Sequence, residues 1–410
     1  MRSDVRLLAG KTLLSLFVLL AVTTAAFADN GFKPLFNGKD IDGWVKRGGD
    51  AIYTVEDDCI VGKRGDGPNT FLCPPKEYGN FVLYFECKFD EAINSGVQFR
   101  SFAKKSGERE VVCGYQCELD QNTSDSGRVY DESRRNRWIN DISEEGKSAF
   151  KKGDWNKVVI QAIGPCVKVW VNDVLCSDFY DTADVKGFFG FQVHGTSSPT
   201  GKVRWRNIQI KELPTTEWQP LLKNKEFEGL WVSPAGKWEM DDEGVVKATS
   251  SGDESRDGML RYDEILKDYA ARVTFKQGVG NSGLYFRAIL VDKPYWMRGF
   301  QNEIDGQATG SLWEVEGRGW VARNFETAAK AFKKDAWNTI SIVAVGDRLV
   351  TELNGQIIID VVDPECLKEG KTAIQLHGNS DMEYYYKDFE IMPFSEEQRA
   401  MIESQTPIMP

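Results

Sequence analysis

The sequence predicts an all-β protein built as two tandem β-sandwiches or jelly rolls. Three observations predict it. The chain repeats itself: NSGVQFR at Asn94 returns as NSGLYFR 187 residues later, GYQCELD at Gly114 as GFQNEID after 185, and DWNKVVIQAIG at Asp154 as AWNTISIVAVG after 182. The only two histidines, His194 in GFFGFQVHG and His377 in KTAIQLHG, are 183 apart and occupy matching places. Between these motifs apolar and polar residues alternate with period two, the signature of half-buried strands, and strong helical periodicity is scarce. One domain is therefore present twice, and whatever both copies retain can be read from a single sequence.

The elements follow in order. The first copy spans about Phe32–Leu213 and opens with LFNGKDIDGW; the second spans about Trp218–Phe394 and opens with LLKNKEFEGLW. In FVLYFECKF, Phe81, Leu83, Phe85, Cys87 and Phe89 share one face. NKVVIQAIGPCVKVWVNDVLC reads as a hairpin followed by a turn at Asn172–Asp173, and its counterpart turns at Asn354–Gly355, a strong hairpin signal. The best helical pattern is a short surface helix within Arg323–Trp337. LPTTEWQP (Leu213–Pro220) reads as a linker, and the tail from Ser395 to Pro410 as one helical turn followed by disorder. The matched tryptophans Trp155/Trp337 and Trp44/Trp231 are expected in the cores.

Composition bounds the function. With 410 residues the chain is long enough for two ordinary cores, and 41% hydrophobic and 12% aromatic content marks a globular protein. A net charge of −11 repels phosphate backbones, which argues against nucleic-acid binding and leaves neutral ligands such as sugars unaffected. Arg2, Arg6 and Lys11 precede the apolar run LLSLFVLLAV and small residues at Ala26 and Ala28. This pattern predicts a signal peptide over residues 1–28, cleavage after Ala28, no membrane association afterwards, and a secreted or periplasmic protein. Export permits disulfides, yet seven of eight cysteines lie in the first copy, so the duplicated core does not need one. Cys113 and Cys117, four apart on one strand at about 3.3 Å per residue, are too distant to join. Cys59–Cys73 remains open.

Period two also assigns a polar face. In GYQCELD, Tyr115, Cys117 and Leu119 point to the core, and Gln116, Glu118 and Asp120 point away. In GVQFR, Gln98 and Arg100 point away; in GFQVHG, Gln192 and His194 do. The second copy repeats this with Tyr285 and Arg287, Gln301, Glu303 and Asp305, and Gln375 and His377. A sandwich has polar outer faces in any case. That does not explain why these identities persist while neighbours change, as Cys117 does to Asn302. The arginine, two carboxylates and imidazole of each copy are therefore the catalytic candidates. Gln98, Gln116, Gln192, Tyr285, Gln301 and Gln375 are substrate-binding candidates, joined by Tyr130 in GRVYDE and its match Trp313 in GSLWEVE. Trp138, Trp296 and Trp320 lie in variable loops, where they either stack on sugar faces or cover an apolar edge.

Glu118 and Asp120 are two apart on a strand, about 6.6 Å between Cα atoms. Paired carboxylates serve glycosidases, about 5–5.5 Å apart for retention and about 6.5–9.5 Å for inversion, and side-chain freedom leaves the two open. The E-L-D and E-I-D strings are similar to the Glu-x-Asp-x-x-Glu strand of laminarinase-type glucanases. The place of the second glutamate, however, holds Asn122 or Thr123, and Gln307 or Ala308. No cofactor motif is evident. A divalent metal held by Glu, Asp and His is chemically open, though no spacing demands it.

FKPLFNGKDIDGW, NSGVQFRS, GYQCELDQN, GRVYDESRR, DWNKVVIQAIG, VKVWVND and FQVHGTSSPTGKVRWRNIQIKEL together resemble the 3-keto-disaccharide hydrolase family. The second copy keeps NSGLYFRA, GFQNEID, AWN and LHG but ends in YYYKDFEI. The resemblance implies two concanavalin A-like jelly rolls that cleave a glycoside already oxidised at C3, downstream of a sugar 3-oxidoreductase. A C3 ketone acidifies the C2 proton, so base-catalysed elimination expels the C1 substituent and water then adds to the enone. On this reading His194 or Glu118 is the base, Asp120 or Glu118 the acid, and Arg100 binds the enolate oxygen, with His377, Glu303, Asp305 and Arg287 equivalent. The alternative is a lectin-like tandem module that binds a polysaccharide without turnover.

Overall fold

The computed structural model describes residues 30–196, 201–292 and 296–410; the segment expected to be a signal peptide lies outside them. Each copy is a sandwich of two antiparallel sheets, the jelly-roll arrangement that the alternation predicts. In the first copy one sheet runs Val174–Tyr180, Cys166–Val171, Asn156–Ile163, Phe81–Phe89, Lys202–Glu212, Cys59–Lys63 and Ile52–Glu56. The other runs Val129–Glu132, Arg109–Asp120, Asn94–Ser106, Gly187–Val193, Thr70–Cys73 and Val45–Gly48. The second copy repeats the plan. Met382–Pro393, Tyr269–Val279 and Asn338–Val345 are central to one sheet, and Gly370–Leu376, Ser282–Asp292 and Trp296–Ile304 to the other.

Both hairpin turns form where the sequence places them. Asn172 and Asp173, and Asn354 and Gly355, all have positive φ, the type I′ geometry that suits a twisted two-residue hairpin. The two asparagines also bind across the turn: Lys157 N donates to Asn172 Oδ1 (3.0 Å) and Thr339 N to Asn354 Oδ1 (2.9 Å). The short helix is Phe325–Ala331, capped by the Asn324 side chain.

Alternating residues divide between two kinds of core. Phe81, Leu83, Phe85, Cys87 and Phe89 fill the first sandwich with Tyr115, Cys117, Leu119, Phe191 and Val193, as the period-two reading expects. The opposite parity of the same strands, Val82, Tyr84 and Val159, joins Trp170, Tyr180, Ala270, Val343, Val350 and Met392 in a separate apolar layer between the two copies. The sheets carrying these residues therefore pack back to back, and the strands Arg109–Asp120 and Trp296–Ile304 belong to the two outer sheets.

Two expectations are corrected, on the tail and on the matched tryptophans, and the open cysteine pairing is resolved. The tail is ordered. Ser395 and Gln398 form a capping box for the helix Glu396–Glu403, and Ile402 is buried in the layer between the copies. Gln161, Lys168 and Trp170 of the first copy donate to the carbonyls of Met401 (3.0 Å), Ser404 (2.7 Å) and Gln405 (2.9 Å). Truncation after Phe394 should therefore cost at least about 2 kcal/mol, the worth of one buried Ile, read as a lower denaturant midpoint. An unchanged midpoint would show the tail to be dispensable. The matched tryptophans are half-buried rather than core: Arg206 lies 3.8 Å over the Trp155 ring and Arg261 4.2 Å over Trp231, while Trp170 and Trp205 are the fully buried ones. All eight cysteines are free and buried. Cys59 and Cys73 fall in different sheets and do not pair.

Candidate functional site

The outer face of the first copy's outer sheet carries a cavity of about 420 Å³. Gln116, Glu118 and Asp120 enter it from the strand Arg109–Asp120, Tyr130 and Glu132 from the neighbouring strand, and His194 from the end of Gly187–Val193. Register explains the convergence. Gly96 stands opposite both Glu118 and Gln192, Asn94 opposite Asp120, and Tyr130 opposite Gln116. A Cβ on Gly96 would lie 2.7 Å from Gln116 Cγ, so the glycine of the repeated NSG motif lets the glutamine lie across the strand.

The polar groups form one network. Asn94 Nδ2 donates to Glu118 Oε1, and Gln116 Nε2 donates to Glu118 Oε2 (3.0 Å). Gln98 (3.2 Å) and Gln192 (2.7 Å), both fully buried, donate to Gln116 Oε1. Gln98 and Gln192 thus lie behind the lining and orient Gln116 rather than reach the cavity. Asn69, which the sequence reading missed, donates to Glu132 Oε1 (3.2 Å) and accepts from the Gly195 backbone (2.9 Å), tying the carboxylate strand to the His194 loop. Asp120 accepts from the backbone and side chain of Asn122 (2.8 and 2.9 Å).

Burial governs the electrostatics. It pushes the Glu118 carboxyl up to about 7, against the lowering effect of its Asn94 and Gln116 hydrogen bonds and with a smaller push from Asp120 and Glu132. It also raises Glu132, opposed by Asn69, and lowers His194. At neutral pH the site accordingly presents a carboxyl that can hold a proton beside an imidazole that can accept one. Because the folded Glu118 value exceeds the ordinary 4.5, its stabilising contribution is complete below pH 4.5 and disappears as pH rises through about 7. Glu118→Gln should therefore be more stable than the wild type above pH 7 and not below pH 4.5, as followed by thermal denaturation. Equal stability at both pH values would contradict the burial.

The second copy builds a smaller cavity of about 290 Å³ from Glu303, Asp305, His377, Gln301, Gln375, Tyr285 and Trp313. Burial pushes Glu303 up to about 7 also. His377 Nδ1 lies 2.7 Å from the Gly378 carbonyl oxygen; only the nitrogen can donate, so Nδ1 carries a proton. Two positions differ. Asn69 becomes Asp257, which accepts from Gly378 N (2.7 Å) and Gln375 Nε2 (2.6 Å), and Glu132 becomes Val315. The aromatic walls correspond: Tyr130 meets Trp138 at 5.2 Å and 77°, and Trp313 meets Trp320 at 5.0 Å and 86°. Trp296 adds a third indole to the second cavity. Trp138, Trp296 and Trp320 all line the cavities, but Trp296 and Trp320 do so from the strands Trp296–Ile304 and Gly319–Ala322 rather than from loops.

Arg100 and Arg287 do not reach the cavities. Both adopt positive φ (47° and 45°) where the ladder shifts register, so each turns out of the alternation and points inward. Arg100 is 1% exposed and donates to the carbonyls of Gly79 (3.0 Å) and Gly164 and to Asn80 Oδ1 (3.2 Å). Arg287 does the same with Lys267 O (2.8 Å), Gly346 O (2.8 Å) and Asp268 Oδ1 (3.1 Å). Their persistence is architectural. The signal for it was present: Gly187 and Gly370, also 183 apart, leave no room for a Cβ against the bulged backbone.

A family model described as the 3-keto-alpha-glucoside-1,2-lyase-like domain matches residues 31–211 and again 217–392. The chain belongs to this family, in two tandem copies. Each lyase-like domain carries one carboxylate-lined cavity, the first adjoined through Asn69, Glu132 and His194 by a further hollow of about 540 Å³, and the family places the protein among carbohydrate-active proteins. A protein of Parabacteroides distasonis ATCC 8503 provisionally called a glycosyl hydrolase is similar at 23% identity, over 45% of this chain and 94% of its own, with a TM-score of 0.35. The carbohydrate-binding module CBM66 of Bacillus subtilis is similar at 15% identity over 40% of this chain and 95% of its own, TM-score 0.30. The β-glucanase of Bacillus licheniformis is similar at 14% identity over 45% and 100%, TM-score 0.33. No curated protein matches the chain. Among the described residues no helix is long and apolar enough to cross a membrane, and no group of three or more His, Cys, Asp and Glu side chains is arranged to hold a metal ion.

Proposed function

We propose that the first lyase-like domain cleaves a 3-keto glycoside by elimination across C1–C2, and that the second binds saccharide. The observation that carries this reading is the placement of Glu118, held toward its neutral form, and His194, held toward its neutral form, in one sugar-sized hollow. His194 takes the C2 proton, and the electron pair moves toward the C3 ketone as an enolate. The C1–O bond then breaks, the departing oxygen takes the Glu118 proton, and an enone and an alcohol result with no change in net oxidation state. Addition of water across C1=C2 completes a net hydrolysis. With Arg100 elsewhere, the Asn69 amide takes over as the candidate to hydrogen-bond the enolate oxygen, beside Glu132, whose carboxyl burial shifts toward its protonated form. The second domain has Val315 and Asp257 at those places and three tryptophans around its cavity, which favours stacking on an apolar sugar face over turnover. An upstream enzyme oxidising the C3 hydroxyl must supply the substrate.

Incubation with a 3-keto α-glucoside should release the alcohol with transient enone absorbance. Glycan binding without product would leave the lectin-like reading. The pH profile should be a narrow bell. Activity rises as His194 deprotonates below its ordinary 6.5 and falls as Glu118 deprotonates near 7. A profile flat from pH 5 to 9 would exclude this acid–base pair.

A further inference from the structure

A third hollow, of about 460 Å³, lies where the two domains meet and is positively charged although the chain as a whole is acidic. Arg135 and Arg137 of the first domain face Lys330, Lys333, Asn354 and Gln356 of the second. The two guanidinium groups converge on one acceptor: Arg135 Nη1 (3.0 Å) and Arg137 Nη2 (2.8 Å) both donate to the Gly355 carbonyl oxygen. Arg135 is balanced by ion pairs to Asp131 and Asp181. Lys330 pairs with Glu326. Among the described residues neither Arg137 nor the Lys333 ammonium has a carboxylate within ion-pair distance; Arg137 reaches only Gln356 Oε1 and the Gly355 carbonyl. Burial and the neighbouring Arg135 disfavour its charged form, partly offset by the more distant charges of Asp181, Asp131 and Glu352. Two like charges held together over a carbonyl, with further ammonium groups opposite, form a recess that a compact anion completes.

The geometry points to an oxyanion site at this junction, one that takes a phosphate, sulfate or carboxylate group, either as a free ion or carried by a sugar. Guanidinium forks match such planar or tetrahedral oxygens with two parallel hydrogen bonds, and Lys333 supplies a point charge from the other domain. The site is separate from both sugar cavities and shares no residue with them.

The test is calorimetric titration of the full chain with inorganic phosphate, glucose 6-phosphate and glucose, each at the same ionic strength set with chloride. Saturable binding of inorganic phosphate is expected if the free ion is the ligand, and of glucose 6-phosphate with no response to phosphate or glucose if the group is sugar-borne. Lys333→Gln, which removes no hydrogen bond of the side chain, should weaken that binding about tenfold, the loss of one charge-assisted contact. Arg137→Gln should weaken it at least as much. Binding of neither phosphate nor glucose 6-phosphate beyond the chloride control, or unchanged affinity in both variants, would overturn the assignment.

Discussion

Glu118→Gln should lower turnover of a 3-keto α-glucoside by about a thousandfold, whereas Glu303→Gln should change it by less than about twofold. The amide keeps the shape of the carboxyl but can accept only one of its two hydrogen bonds, those from Asn94 and Gln116, and it cannot hand a proton to the leaving oxygen. The contrast between the two variants is the informative part. The domains share their carboxylate strand, their histidine and their NSG motif, so equal losses would mean that both cavities turn over substrate and that Val315 and Asp257 are immaterial. A loss with Glu303→Gln alone would reverse the assignment. Retained activity in both would remove the acid role altogether. The KM for Glu118→Gln should stay within a few-fold of the wild type, because the lost interaction belongs to the transition state rather than to binding.

Arg100→Met should destabilise the first sandwich by about 3–5 kcal/mol, and Arg287→Met the second by a similar amount. Each guanidinium satisfies carbonyl oxygens from separate loops, and removing it leaves those acceptors buried without donors. A fall of roughly 10 °C in the corresponding calorimetric transition is expected. Turnover by the protein that remains folded should be unaffected. Burial lowers Arg100 only to about 10, so the group stays cationic at neutral pH and its charge is held by the carbonyl dipoles around it. An unmoved transition with lost activity would return Arg100 to the chemistry.

These two results address the places where sequence reading succeeded and failed. Alternation along GYQCELD gave the right faces because that strand runs straight through Tyr115–Leu119 against its partner without interruption. The same rule failed two residues past Gln98 because the ladder shifts between Phe99 and Phe102, and a bulge reverses parity without altering composition. The repeat identified Arg100 and Arg287 as important and could not say for what, since carbonyl cages and ligand sites select arginine equally well. Asn69 and Glu132 escaped notice for a different reason. Their partners in the second copy are Asp257 and Val315, so a search for retained identity passed over them. The order of the tail depended on the apolar layer between the copies, a surface assembled from strands far apart in sequence that no local pattern reveals.

The back-to-back stacking of the sheets has a geometric outcome for any glycan. The two carboxylate-lined cavities lie on different outer sheets and share no lining residue, so each would take its own saccharide. On the proposed function, the second domain would hold one saccharide against Trp296, Trp313 and Trp320 while the first turns over another.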